Sequence, residues 1–290
     1  MNEEQAREFL EEIRWGKEPI CPHCGNVGAY DLVPKGGSST RSGVYKCKAC
    51  RKQFTVTVNT IFHDSHIPLN KWLMAIYLMC SSKKGISAHQ IHRTLGITYK
   101  SAWFMCHRIR EAMKQNPQGF LKGDVEVDET YIGGRHKGKR GRGAEGKTPV
   151  VALIERGGEL RAKKMNCLSA KNLKQAIKEN VDKSSNINTD EFRSYRGLEK
   201  EYAKHSTVQH GFGVYVNGNA HTNTLEGWFS LLKRGVNGTF HHVSDKHLDR
   251  YINEFVFRYN NRKIDDGMRS ILAIIQVKDK RLNYKESIIH

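Results

Sequence analysis

Three acidic side chains, Asp128, Asp190 and Glu226, stand in settings that suit metal-dependent phosphate chemistry. Asp128 lies in the alternating run 125–132 and Asp190 at the end of 187–190, both strand-like. Glu226 lies in a run whose Leu225, Trp228, Phe229 and Leu232 fall at i, i+3, i+4 and i+7, the apolar stripe of a helix. Asn223, Glu226, Ser230 and Lys233 follow the opposite face. Between Asp190 and Glu226 lie 35 residues. In-line displacement at a phosphodiester needs charge stabilised on the attacking and the leaving oxygen, which two Mg²⁺ ions roughly 3.5–4 Å apart provide. Mg²⁺ prefers oxygen ligands and keeps several waters, so a few carboxylates suffice. In this reading Asp128 bridges two Mg²⁺ ions, Asp190 holds one and Glu226 the other. Lys233, two turns on, reaches a DNA backbone. The duller readings stay open. Lone aspartates commonly end strands and start turns, and Asn223 with Glu226 has the spacing of an N-cap and its capping-box partner.

A second set of residues points to a different metal. Cys21 and Cys24, then Cys47 and Cys50, form two C-x-x-C pairs with 22 residues between them. Four thiolates at such a spacing suit one tetrahedral Zn²⁺, and four protein ligands leave no open position, so the zinc is structural. The Gly/Ser-rich stretch 36–39 accounts for the slightly long gap. Seven cysteines, four of them paired this way, indicate a reducing compartment rather than a disulfide framework.

The elements that must position these residues follow from periodicity. A short helix covers 4–15, and residues 54–58 alternate like a strand after the cysteine pairs. Three helices come next: one around Trp72, one opened by Ser87 and stopped at Gly96, and one from Tyr99 to Met113. Short helix, glycine turn, longer helix is the helix-turn-helix pattern. Docked on DNA, such a module puts Lys100, Ser101 and Trp103 near base edges and Arg108 and Arg110 near phosphates. An ordinary three-helix packing module fits the same pattern. Strands at 125–132, 149–154 and 160–166, a helix through Leu173 and Ile177, a strand at 187–190 and later helices give the order of a ribonuclease H-like α/β core. The stretch from Gly133 carries Arg135, Lys137, Lys139, Arg140 and Arg142 beside the first aspartate, too polar to bury and suited to phosphates. Ser244 opens a helix carrying Leu248, Ile252 and Phe255, and a short last helix follows Met268. His241, His242 and His247 invite a metal reading, but the two adjacent histidines point different ways, which favours a loop touching DNA or solvent. The expected division is 1–60 for the first helix and zinc ribbon, 61–117 for the helix-turn-helix, and 118–290 for the catalytic core.

The totals agree with a polyanionic partner. With 48 Lys and Arg against 30 Asp and Glu, the 290 residues carry a formal charge of +18. No run of 18 apolar residues and no secretion-type start are present, so a cytoplasmic, nucleoid-associated protein without a membrane span is expected.

The motifs together are similar to those of one family. The stretches Val125-Glu126-Val127-Asp128-Glu129-Thr130-Tyr131-Ile132-Gly133-Gly134, Thr189-Asp190-Glu191-Phe192-Arg193-Ser194-Tyr195 and His221-Thr222-Asn223-Thr224-Leu225-Glu226 resemble the ISXO-two-like DDE transposases of bacterial insertion sequences, whose eukaryotic relatives are the Merlin elements. Residues 231–235, 238–244 and 257–262 and the zinc ribbon extend the likeness over roughly residues 15–265. The resemblance implies a ribonuclease H-like fold, Mg²⁺- or Mn²⁺-dependent cutting at element ends, and strand transfer into target DNA. The partners it implies are double-stranded terminal repeats and target DNA, bound by at least a dimer. Asp128 and Asp190 match the first two acidic positions. For the third, the family has glutamate or asparagine, and this chain offers both, with Glu226 favoured by the 35-residue gap and by Lys233, and Asn223 in reserve. Arg234 beside Lys233 joins the DNA-facing set. A non-catalytic DNA-binding relative and a nuclease without strand transfer remain the competing readings.

Overall fold

Period-two burial sets the central sheet. In the computed structural model, which describes residues 1–32, 42–133, 146–208 and 221–285, Val150, Ala152 and Ile154 face one apolar cluster while Val151 and Leu153 face another. A strand apolar on both faces has to sit between layers. It is β5 (Lys147–Glu155), flanked antiparallel by β4 (Asp124–Gly133) and β6 (Leu160–Lys164). On its other side β4 takes β7 (Asn186–Asp190) in parallel, and β7 takes β8 (Lys204–Val208), also in parallel. The order β6-β5-β4-β7-β8 makes a mixed five-stranded sheet with β4 at its centre. Helix α5 (Ala170–Asn180) covers one face through Leu173, Ala176 and Ile177. Helices α6 (Asn223–Arg234) and α7 (Asp245–Asn260) cover the other. The stripe Leu225, Trp228, Phe229 and Leu232 is buried as its spacing requires. A single π-helical turn, Gly235–Phe240, links α6 to the loop before α7. These elements form one compact unit, Lys114–Lys263.

The strand β8 has no counterpart in the sequence reading. Its Lys-His-Ser-Thr-Val pattern is mostly polar because it is an edge strand with little to bury.

The second unit joins Met1–Met113 to Ile264–His290. Helix α1 (Glu3–Trp15) opens on a capping box between Asn2 and Gln5. Strands β1 (Ala29–Asp31), β2 (Tyr45–Cys47) and β3 (Gln53–Phe54) form a small antiparallel sheet. The strand expected over 54–58 stops at Phe54. The chain turns instead, Asn59 adopts a left-handed φ of 59°, and the Val56 carbonyl accepts from the Arg14 guanidinium. Helices α2 (Leu69–Ser81), α3 (Ala88–Leu95) and α4 (Tyr99–Ala112) follow. Gly96 takes the left-handed C-cap conformation that ends α3, and Thr98 caps α4 through the Ser101 amide. The last helix, α8 (Asp266–Ile275), packs against α2 and α1. Among the described residues no helix is long and apolar enough to cross a membrane.

Candidate active site and zinc cluster

Alternation along β4 decides which side chains meet α6. Val125 and Val127 pack with the α5 layer, so Glu126 and Asp128 project toward the α6 layer. On β7, Ile187 packs with the α5 layer, so Asn188 and Asp190 share the face of Asp128. The parallel register pairs Val125 with Ile187 and Glu126 with Asn188 and ends there, so Asp128 and Asp190 each lie two residues beyond the last pair, where the two strands are no longer joined. Glu226 lies in the first turns of α6, exposed, and close enough for its charge to act on Asp128.

The ligand oxygens of Asp128, Asp190 and Glu226 do not all lie within 4.8 Å of one another, and the link between the three is electrostatic. The Asp128 carboxyl is pushed from 3.8 up to about 8, first by burial, then by Glu129, with Asp190 and Glu226 adding to it. A half-buried acid surrounded by three others keeps its proton near neutral pH unless a cation replaces it. Glu129 points to the opposite face, where its carboxylate accepts from the buried Tyr195 hydroxyl at 2.6 Å. Burial, then Glu129, holds that hydroxyl well above its ordinary value, so it stays a donor. Asp190 is fixed by accepting from the Phe192 amide at 3.0 Å. Asn223 is the first residue of α6 and its cap is Thr222, so Asn223 and Glu226 do not form a capping box. Asn223, Glu226 and Lys233 are all exposed.

The start of α6 is held from β4. Thr222 makes no side-chain cap bond. Instead Glu126, completely buried, accepts from the amides of Thr224 and Leu225 at 3.1 and 3.2 Å and from the Thr224 hydroxyl at 2.9 Å. Arg156 donates to Glu126 at 3.0 Å and to the His221 carbonyl at 2.9 Å. His221 Nδ1 lies 3.2 Å from Glu126, without the alignment of a hydrogen bond. Glu126, two residues from Asp128, shares its face of the strand, but nothing in the local sequence assigns a task to it or to Arg156. The available signal was a carboxylate at an inward position of a central strand, which always needs partners.

Among the described residues only Cys21, Cys24, Cys47 and Cys50 bring ligand atoms within 4.8 Å of one another. The Cys21 and Cys50 sulfurs are 3.7 Å apart and those of Cys24 and Cys47 3.6 Å. A tetrahedral ion with Zn–S bonds of ~2.3 Å needs sulfurs about 3.8 Å apart. The four thiols therefore fit Zn²⁺. Backbone amides of Cys50 and Ala49 draw the Cys47 thiol down to about 6 against desolvation, which favours the thiolate a metal requires. The glycine-rich insertion at 36–39 lies outside the described residues.

Residues 1–53 match the transposase zinc-ribbon domain family and residues 120–260 the ISXO2-like transposase domain family. A relative from Halobacterium salinarum, described as an uncharacterized protein in transposable element ISH50, is 30% identical over 275 residues, covering 89% of this chain and 91% of its own length. The chain belongs to the ISXO2-like transposase family. Among solved structures, a pre-cleavage Mos1 transpososome is similar at 12% identity with a TM-score of 0.24, over 68% of this chain and 75% of that one. The Mos1 strand transfer complex gives 11%, 0.19, 66% and 75%. Scores so low carry no argument about the site.

The remaining expected contacts of the transposase are placed unevenly. Lys100 is exposed at the start of α4, its ammonium 4.7 Å from the Tyr284 ring. Ser101 accepts from Thr98, and Trp103 is half-buried against His107. Arg108 departs from its expected role. It is 4% exposed, donates to the His63 carbonyl, and stacks over Trp72 and Phe104, so it binds the helices together instead of meeting phosphate. Arg110 is buried as well. Lys233 borders a cleft with Tyr131, Lys147, Asn237 and His241, and Arg234 is exposed next to it. Arg135, Lys137, Lys139, Arg140 and Arg142 lie outside the described residues.

Proposed function

We propose that this chain cuts the ends of a mobile element and joins them to target DNA, using divalent cations held by Asp128, Asp190 and Glu226. The observation that carries the reading is the Asp128 carboxyl, raised to about 8 among Glu129, Asp190 and Glu226 on one end of the sheet. Such a set is costly in a protein with nothing to neutralise it and suits hard cations.

Asp128 sits centrally and is read as the shared ligand. Asp190 and Glu226 flank it from β7 and α6. Mg²⁺ or Mn²⁺, when bound, stabilises charge on the attacking and leaving oxygens at phosphorus. Asp128 has to release its carboxyl proton before it can act as a ligand. Lys233 and Arg234 offer cations to the DNA backbone seven and eight residues beyond Glu226. Asn223, exposed one turn before Glu226, is the reserve ligand. The helices α3 and α4 are read as a helix-turn-helix that, with the zinc ribbon, grips double-stranded terminal repeats, and the sheet unit as a ribonuclease H-like core. Two ends joined at once imply at least two copies on DNA.

The test is to incubate protein, Mg²⁺ and labelled DNA carrying the element's flanking terminal repeats. Joined products are expected. Cleavage alone would reduce the reading to a nuclease, and a mobility shift without cleavage to a DNA-binding protein. Asp128→Ala is expected to abolish both products while leaving DNA binding near the wild-type level. Strand transfer surviving in that variant would remove the assignment.

A further inference from the structure

We infer that Glu126 is a positioning residue that sets where α6 carries Glu226 relative to Asp128. The inference rests on the proposed role of Glu226. Its support is independent geometry within the sheet unit. Glu126 has no exposure to solvent and stands two residues before Asp128, on the same face of β4. Both of its carboxylate oxygens are in use. One accepts the Thr224 and Leu225 amides; the other accepts the Thr224 hydroxyl and the Arg156 guanidinium.

Those two amides are orphan donors of the first turn of α6, which its own N-cap residue leaves unmet. The cap is therefore supplied from 98 and 99 positions earlier in the chain. An ordinary local cap fixes only the helix end. This one fixes the helix end to the strand that carries Asp128. The partial positive charge of the helix start and the Arg156 guanidinium together offset the cost of burying the carboxylate. Arg156 also ties down the His221 carbonyl, so the chain entering α6 is held on both sides of Thr222. Glu226 follows Leu225 directly, and any slide or rotation of α6 that moved it from Asp128 would break these bonds together.

Glutamine at this position keeps the shape but offers one acceptor oxygen where two are needed, and its NH₂ group would face donors. Groups that orient metal ligands typically change metal affinity by about 10–100-fold when altered. The experiment compares wild type, Glu126→Gln, the milder Thr224→Val, and Glu254→Gln, which alters another fully buried carboxylate, on α7, that accepts from Arg258. Three readings are taken: amide hydrogen exchange at residues 224–226, the Mn²⁺ binding midpoint from water relaxation, and the Mn²⁺ dependence of DNA cleavage. Glu126→Gln should lose amide protection at 224 and 225 and raise the Mn²⁺ midpoint about tenfold, with cleavage partly recovered at high Mn²⁺. Thr224→Val should shift the midpoint the same way by less, and it decides the matter if Glu126→Gln does not fold. Glu254→Gln should leave the midpoint at its wild-type value. Loss of protection with an unmoved midpoint would reduce Glu126 to a helix cap and overturn the inference. An equal shift in Glu254→Gln would overturn it too. Absence of Asp128-dependent Mn²⁺ binding in the wild type would instead strike the reading of the site itself.

Discussion

At the scale of single residues, the Asp128 carboxyl holds the most information. Its pKa of about 8 in the fold exceeds the 3.8 of an ordinary aspartate, so between those pH values the folded chain binds a proton that the unfolded chain has released. Stability without metal therefore falls as pH rises from about 4 to about 8, and is flat above. Asp128→Asn removes that penalty. We expect its metal-free melting temperature to match wild type near pH 4 and to exceed it by roughly 10 °C at pH 8.5, measured by calorimetry. An unchanged or lower value at pH 8.5 would contradict a raised Asp128 carboxyl. The same proton makes cation binding pH-dependent. Mn²⁺ affinity should rise with pH up to about 8 and then level off, with proton release on binding detectable in weakly buffered solution.

At the scale of elements, the cysteine cluster and α6 each make a prediction. Cys21, Cys47 and Phe54 form a small apolar cluster, and Trp15 packs edge-on against Tyr45 and Phe54 at 5.4 and 5.7 Å. So small a core depends on its crosslink. Chelation should unfold the β1-β2-β3 sheet and red-shift Trp15 emission, a change that Trp15→Phe abolishes. Retention of the spectrum after zinc removal, confirmed by metal analysis, would contradict a structural role. Trp228, 2% exposed, anchors α6 in the layer that faces Glu126 and Asp128. Trp228→Ala should cost about 3–5 kcal/mol in denaturant unfolding. Since it loosens the helix that carries Glu226, it should also weaken Mn²⁺ binding more than an equally destabilising change under α5.

At the scale of the whole molecule, charge governs the partner. A surplus of +18 predicts DNA binding that weakens steeply with salt. Changing Arg135, Lys137, Lys139, Arg140 and Arg142 to Ser should flatten the slope of log K against log salt, by about one for each residue that contacts phosphate. A slope unmoved by all five changes would show that this basic stretch does not touch the backbone. By itself, the sequence determined the elements whose signals are local. The stripe of α6, the caps of α3, the strand alternation and the doubled cysteine pairs each depend on neighbours within a few residues. It also put Asp128, Asp190 and Glu226 in the right kinds of element. Only the tertiary structure decided the edge strand β8, which buries too little to leave a pattern, and the packing of α8 with α2. It alone gave Arg108 an interior task and Glu126 a helix end to hold, because such partnerships join residues tens of positions apart and leave no period to read.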